Sequence, residues 1–211
     1  HKLRNTNMTV TYETGSGLYV NVTNRCTNRC AFCVRTKPEG ERVVGENLYG
    51  DLWLDREPTV EEIYESIVSR DLSKYTELVF CGFGEPTERL DDILDVVRRF
   101  KAEYDLPVRL NTNGHASLIA GEDVTPRFAD SFDTVSVSLN AATAADYVAL
   151  CSPDFGEAAF DGLLTFARDV KEYVPTVLLS IVRGSIPDGD IEKCQKLADS
   201  CGVKLRIREM L

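Results

Sequence analysis

The stretch LYVNVTNRCTNRCAFCVR, residues 18–35, joins a predicted β-strand to a cysteine-rich loop. Its first six residues alternate between apolar and polar side chains, which is typical of a strand with one buried face. Three of the seven cysteines follow, spaced C-x3-C-x2-C at Cys26, Cys30 and Cys33, while the other four are scattered singly. A thiol cluster directly after a strand indicates a metal site at the carboxyl end of that strand.

The rest of the chain alternates between short strands and longer helical segments. Five further strands are predicted at residues 77–82, 108–113, 134–140, 176–182 and 204–209. Helices are predicted at residues 59–70, 90–104, 155–174 and 190–201, the first of them opened by Thr59 and Glu62 in capping-box spacing. Strand and helix alternation predicts parallel strands joined by right-handed crossovers, in either an open doubly wound sheet or a barrel.

The pattern inside the strands favours the barrel. In TVSVSLN, residues 134–140, valine and leucine share one face while serine and asparagine share the other. A sheet covered by helices on both faces usually reads apolar throughout. The polar face therefore predicts an α/β fold of partial (β/α)6 barrel type, whose inner face lines a wet cavity and whose chemistry lies at the carboxyl ends of its strands.

Composition and charge narrow the classes of function. The 24 Lys and Arg against 34 Asp and Glu give a net charge of −10, which argues against a broad nucleic-acid-binding face. The sequence has no apolar run long enough for a membrane span and no signal-peptide core, and an odd number of cysteines fits a reducing compartment, so a cytoplasmic location is expected. Residues 1–17 are expected to be an N-terminal extension and 18–211 a single core domain, with 34–57 as a lid-like insertion that places Arg35 near the cysteines.

Two kinds of metal site would use such a thiol cluster. A structural zinc site needs a fourth ligand, and the only histidines, His1 and His115, do not lie at finger spacing. Three thiolates on an iron–sulfur cubane leave one iron open to a small molecule.

The cysteine loop resembles that of the radical SAM superfamily, in which CxxxCxxC holds a [4Fe-4S] cluster and the open iron chelates S-adenosylmethionine. The resemblance implies that Cys26, Cys30 and Cys33 are the metal ligands and catalytic centre, with Phe32 as the aromatic residue before the last cysteine. It also implies that CGFGEP, residues 81–86, meets the methionine amino group, and that strand-end polar groups contact the ribose and carboxylate. The implied cofactor-binding residues beyond Phe32 are Gly82, Gly84, Glu85, Asn113, Ser138 and Asn140.

Over nearly its full length the sequence is similar to the TatD-linked radical SAM proteins, through segments such as LWLDREPTVEE and the terminal GVKLRIRE. This resemblance implies reductive cleavage of S-adenosylmethionine to a 5′-deoxyadenosyl radical, which abstracts hydrogen from an unassigned substrate. It further implies an external electron donor of flavodoxin or ferredoxin type and a functional link to a TatD-type hydrolase. The alternative is a non-catalytic Fe-S or metal-binding partner module for such a hydrolase.

Four arginines on or beside polar strand faces, Arg109, Arg183, Arg206 and Arg208, are candidates for binding an anionic substrate. Arg109 is equally suited to pair with a buried carboxylate. Cys194 and Cys201 are predicted to lie in the core on one amphipathic helix, which argues against a second cluster.

Overall fold

The computed structural model describes residues 8–36 and 52–209. Within these residues the chain forms one sheet of seven strands, β1 Thr11–Thr14, β2 Gly17–Asn21, β3 Glu77–Cys81, β4 Val108–Thr112, β5 Thr134–Ser138, β6 Thr176–Val182 and β7 Lys204–Arg208. The α-helices are α1 Val60–Val68, α2 Leu90–Glu103, α3 Ala116–Ala120, α4 Ala144–Cys151, α5 Ala158–Val170 and α6 Ile191–Cys201. None of the described helices is long and apolar enough to cross a membrane.

The sheet order decides between the two predicted architectures. Strands β1 to β7 lie side by side in sequence order, and all neighbours from β2 to β7 are parallel. A doubly wound sheet would reverse its order at a switch point. The partial barrel of six parallel strands is therefore confirmed, with β1 and β7 as edges that do not pair with each other.

Strand β1 was not predicted, and it comes from the stretch expected to be an N-terminal extension. It pairs antiparallel with β2, with Thr14 opposite Gly17 across the two-residue turn Gly15–Ser16. Gly15 has a φ of 55°, the left-handed conformation that two-residue hairpins of the primed type require. The Gly-Ser pair between two alternating runs is the sequence signal for this hairpin.

Local sequence sets the ends of the helices. The capping box is present, because the Thr59 side chain accepts a hydrogen bond from the Glu62 amide and the Glu62 carboxylate accepts one from the Thr59 amide. Helix α6 ends at Gly202 with a φ of 71°, as the sequence predicts. The short helices α3 and α4 were not predicted.

The hydrophobic core lies between the outer face of the sheet and the helices. Val135, Val137 and Leu139 are fully buried on this face, whereas Ser136 and Ser138 point to the other side. Other polar residues of the inner face follow the same alternation, namely Arg109, Asn111 and Ser180. This alternation leaves a polar interior, in agreement with the sequence.

Most of the expected lid, residues 37–51, lies outside the described residues. Its two ends are placed against the barrel mouth. Leu52 and Leu54 are buried, and the Trp53 ring packs edge-on against Phe83 with their centroids 5.4 Å apart. The Arg35 guanidinium lies over the Trp53 ring, 5.9 Å from its centroid.

Candidate functional site

The three clustered cysteines lie in the loop that leaves the carboxyl end of β2. Cys26, Cys30 and Cys33 are all free thiols, each half-buried. In the described part of the chain no three His, Cys, Asp or Glu side chains converge on one point that could hold a single metal ion. A cubane does not need such convergence, because each of its cysteine ligands binds a different iron. The lack of a single convergence point among the described residues is therefore compatible with a cluster.

Helix α4 holds one side of the cysteine loop. The amides of Arg29 and Ala31 donate to the carbonyls of Cys151 and Leu150, at 2.7 and 2.9 Å. These carbonyls belong to the last turn of α4, where no intrahelical amide is left to satisfy them. The cysteine loop thus takes the place of a C-terminal cap, which fixes its backbone relative to the barrel.

The turn after β3 holds the other side of the loop. The Glu85 amide donates to the Arg25 carbonyl at 2.7 Å. A Cβ added at Gly84 would lie 2.1 Å from the Thr23 carbonyl oxygen and 2.7 Å from that of Arg25. The family resemblance implies that Gly84 binds the cofactor. The contacts give a different requirement, because any side chain here would collide with the backbone leading into Cys26.

A chain of buried hydrogen bonds runs beneath the cysteine loop. His115 joins two hydroxyl groups, with Nδ1 2.7 Å from Thr27 Oγ1 and Nε2 2.9 Å from the Tyr147 hydroxyl. The side-chain amides complete it, since Asn113 donates to Thr27 at 2.9 Å and Asn28 donates to Tyr147 at 2.9 Å. This network ties two loop residues beside Cys26 and Cys30 to the end of β4 and to α4.

His115 works in this network as a neutral group. Its side chain is 0% exposed, and burial lowers the pKa of His115 to about 4. A neutral imidazole has one donor and one acceptor nitrogen, which two hydroxyl partners can match in either tautomer. Sequence reasoning treated His115 only as a zinc ligand to be rejected, and it missed Tyr147, Thr27 and Asn28 altogether. Only the position of His115 directly after NTNG hinted at a place near the site.

Arg35 supplies the positive charge that faces the cysteines. Its guanidinium donates to the carbonyls of Asn24, Phe83 and Asn28 at 3.0 to 3.3 Å, so it joins the cysteine loop to the turn after β3. Its charge opposes the rise in pKa of all three thiols. The sequence placed Arg35 near the cysteines, and the side chain lies there.

The thiols themselves are held in the protonated form. Burial raises the pKa of Cys26 to about 12 and also raises the pKa of Cys33. A hydrogen bond to the Cys151 thiol is the main cause that raises the pKa of Cys30, with burial adding to it. Because metal ligands must be thiolates, binding of iron to this loop has to release protons.

The other residues predicted to bind the cofactor differ in how close they lie to the cysteine loop. Phe32 is half-buried within it, and Asn113 Nδ2 lies 3.9 Å from Cys26 Sγ. Gly82 has a φ of 99° beside Asn21, whose side-chain oxygen would be 2.2 Å from an added Cβ. The Asn140 amide donates to Cys151 Sγ at 3.5 Å, and the Cys151 thiol in turn is hydrogen-bonded to Cys30.

Glu85 uses its side chain to join two strand ends. The carboxylate is 3% exposed and accepts hydrogen bonds from the side chains of Thr87 and Thr112 and from the amides of Thr87 and Asn113. Burial outweighs these bonds and raises the pKa of Glu85 to about 7. The side chain is thus fully engaged within the protein, which leaves the backbone of this turn for any ligand.

One sequence-family model covers most of the segments that form this site. A sequence model of the Radical SAM superfamily matches residues 20–198.

The chain belongs to the radical SAM superfamily.

Proteins of this superfamily bind a [4Fe-4S] cluster and S-adenosylmethionine, which are accordingly the cofactors of this member. No curated protein matches the chain significantly.

Solved structures of radical SAM proteins share the fold. Streptococcus suis SuiB bound to precursor peptide SuiA aligns with a TM-score of 0.65 and 14% identity, over 95% of this chain and 40% of that one. TYW1 with a lysine-pyruvate adduct bound aligns with a TM-score of 0.64 and 15% identity, over 93% of this chain and 65% of that one. A radical SAM methyltransferase from Sphaerobacter thermophilus aligns with a TM-score of 0.63 and 16% identity, over 94% of this chain and 68% of that one. The chain thus spans between two fifths and about two thirds of these radical SAM proteins.

The donor set of the radical SAM loop fits the cluster. Three thiols project from one loop at the carboxyl end of the first parallel strand, and a guanidinium faces them. A cavity of about 780 Å³ elsewhere is lined by Asp133 and Pro175, which precede β5 and β6 and so mark the opposite end of the barrel. In βα barrels the chemistry lies at the carboxyl ends, which favours the cysteine loop over that cavity.

Proposed function

We propose that the chain is the catalytic core of an enzyme that cleaves S-adenosylmethionine reductively, with Cys26, Cys30 and Cys33 as the ligands of a [4Fe-4S] cluster. The observation that carries the proposal is the cysteine loop itself. It supplies three thiols, and its backbone is bonded to α4 on one side and to the turn after β3 on the other. A loop held on both sides suits a cluster that must present one open iron in a fixed direction.

Cys26, Cys30 and Cys33 would hold the cluster, which would supply the electron for reductive cleavage of S-adenosylmethionine to methionine and a hydrogen-abstracting 5′-deoxyadenosyl radical. The protein's part is to bind, orient and exclude water. Arg35 lowers the cost of forming three thiolates in one loop. The His115 network keeps the loop in place, and Glu85 joins the ends of β3 and β4.

The cofactor pocket proposed from the sequence remains a proposal. Phe32, the backbone at Gly82, Gly84 and Glu85, and the side chain of Asn113 lie beside the cysteine loop, which supports their part in it. Ser138 is on the inner face of the barrel, where it is available to a ligand. Asn140 has less support, because its amide is bonded to Cys151.

The electron donor and the partner are proposed from the sequence resemblance alone. They are an external donor of flavodoxin or ferredoxin type and a functional link to a TatD-type hydrolase, and the substrate is unassigned. The cytoplasmic location, the division at residue 18 and the lid at 34–57 stay predictions as well.

The experiment is anaerobic reconstitution followed by reduction with dithionite in the presence of S-adenosylmethionine. The wild-type chain is expected to release 5′-deoxyadenosine and methionine, and single Ala replacements of Cys26, Cys30 or Cys33 are expected to abolish release. Cys194→Ala is the matched control, since Cys194 is a buried core residue on α6. Binding of S-adenosylmethionine without any cleavage would instead favour the non-catalytic module.

A further inference from the structure

Arg109 is a buried cation inside the barrel with unused hydrogen-bonding capacity. It lies on β4 and is 7% exposed. Its Nη2 donates to Glu77 at 2.9 Å and to the Tyr19 hydroxyl at 3.2 Å, which orients the guanidinium from two neighbouring strands. Its Nε, however, is buried and has no hydrogen-bond partner among the described residues. Leaving a buried donor of a charged group unpaired is costly, so this position favours an acceptor that comes from outside the chain.

Strand β7 brings two more arginines to the same interior. Arg206 is in register with Ser180, and Ser180 is in register with Ser138, so all three side chains share the inner face. Arg208 lies two residues further along β7 and points the same way. In the described part of the chain neither Arg206 nor Arg208 forms a side-chain ion pair or hydrogen bond. Arg183 differs, because it pairs with Glu209 at 3.1 Å.

The curvature of the sheet brings these cations together. Strands β4 and β7 are separated by β5 and β6, and Arg206 still feels the charge of Arg109. Desolvation, followed by repulsion from Arg109 and Arg208, holds the pKa of Arg206 below its usual range. Glu77 pairs with Arg109 and also acts on Arg206, and Arg208 forms no ion pair within the described part of the chain, so positive charge exceeds negative charge around these side chains.

We infer that this part of the barrel interior, formed by Arg109, Arg206 and Arg208, binds an anionic group of the substrate, either a carboxylate or a phosphate. The inference rests on the proposed function and names the substrate class for the same site. Guanidinium groups recognise both anions through paired N–H donors. Arg206 is level with Ser138 of the proposed cofactor pocket, whereas Arg109 is level with Thr134 at the start of β5, so the anion would lie deeper in the barrel than the cofactor, with the rest of the substrate between them. Of the four arginines that the sequence offered, Arg183 is excluded.

The test is isothermal titration calorimetry of the reconstituted protein, with and without saturating S-adenosylmethionine, using inorganic pyrophosphate and succinate as probes. Arg206→Gln and Arg208→Gln are each expected to weaken binding by about tenfold or more, since each removes a charge-assisted contact. Arg206→Lys keeps the positive charge but loses the paired N–H donors of the guanidinium, so its affinity for the probe is expected to lie between those of the wild type and Arg206→Gln. Arg183→Gln is the matched control and is expected to bind as the wild type does. Both replaced β7 residues are exposed, so these variants should keep the fold, which circular dichroism checks.

The probe that binds more tightly identifies the anion. Pyrophosphate assigns a phosphate-bearing substrate and succinate a carboxylate. The inference fails if neither probe shows saturable binding, or if Arg206→Gln and Arg208→Gln bind as well as Arg183→Gln. It also fails if S-adenosylmethionine abolishes probe binding, because the arginines would then hold the carboxylate of the cofactor. None of these outcomes requires cofactor cleavage, so intact probe binding in a protein that never releases 5′-deoxyadenosine would refute the proposed function alone.

Discussion

Gly84→Ala tests the packing of the turn after β3 against the cysteine loop. The added methyl carbon would start 2.1 Å from the Thr23 carbonyl oxygen and 2.7 Å from that of Arg25. Real Cβ atoms essentially never approach closer than 3.0 Å, so the first contact alone demands a shift of 3.0 − 2.1 = 0.9 Å. Both contacts are backbone, which cannot move aside as a side-chain tip can. The loop that carries Cys26 must therefore move.

The expected cost follows from overpacking in a close-packed interior. Such insertions destabilise by about 1–3 kcal/mol, and for a chain of this size each kcal/mol lowers the melting temperature by roughly 2–4 °C. Gly84→Ala is therefore expected to melt roughly 2 to 12 °C below the wild type. It is also expected to retain less iron after reconstitution, because the Glu85 to Arg25 hydrogen bond and the path into Cys26 are both disturbed.

Gly189→Ala is the matched control. Its added Cβ meets no atom within 4 Å and its backbone is not left-handed, so it is expected to leave stability and iron content unchanged. The assays are thermal unfolding and iron per chain. The steric reasoning is wrong if Gly84→Ala has the same melting temperature and the same iron content per chain as Gly189→Ala and differs only in weaker binding of S-adenosylmethionine. In that case Gly84 serves ligand approach.

Three further predictions address the groups around the loop. Tyr147→Phe leaves the Asn28 amide and His115 Nε2 without their hydroxyl partner, although Thr27 still meets His115 Nδ1, and is expected to cost about 1–3 kcal/mol by urea unfolding, more than Tyr64→Phe, whose hydroxyl donates to the exposed Glu103; equal losses would refute the network. Glu85 has a pKa raised from 4.5 to about 7, so its contribution to stability is present below about pH 4.5 and falls as the pH rises to about 7, by at most on the order of 3 kcal/mol; a fall of the same size in Glu85→Gln would assign it to another group. Arg35→Gln removes the charge that favours the thiolates, so iron incorporation is expected to slow by a similar factor at pH 7 and pH 8.5, both far below the pKa of Cys26, and Arg35→Lys should restore much of the rate; a Lys variant as slow as the Gln variant would leave Arg35 only its backbone contacts.

The sequence predicted those features that arise from local patterns. The alternation in residues 134–140, the capping box at Thr59 and the stop at Gly202 are each written in a few neighbouring residues, and the structure has all three. The alternation of elements left two strand orders open, and the polar face of residues 134–140 favoured the barrel order that the sheet has. The hairpin strand β1 was missed even though Gly15–Ser16 signals it.

The hydrogen bonds that hold the cysteine loop in place could not be predicted from local sequence patterns, because they join segments that are far apart in the chain. Thr27 and His115 are separated by 88 positions, and Asn28 and Tyr147 by 119. No spacing in the sequence relates such residues. The same holds for Gly84, whose neighbour is the backbone after β2, and for Arg109, whose partner Glu77 lies 32 positions away on another strand.

The measurement that tests the central claim most directly is electron paramagnetic resonance of the dithionite-reduced protein, before and after addition of S-adenosylmethionine labelled with ¹⁷O in its carboxylate and ¹⁵N in its amino group. The protein should carry about four irons per chain. If Cys26, Cys30 and Cys33 hold a cluster with one open iron, the cofactor shifts the spectrum, and both labels show hyperfine coupling to the cluster. An unchanged spectrum with no coupling, or stoichiometric zinc that reconstitution cannot replace, would contradict the account.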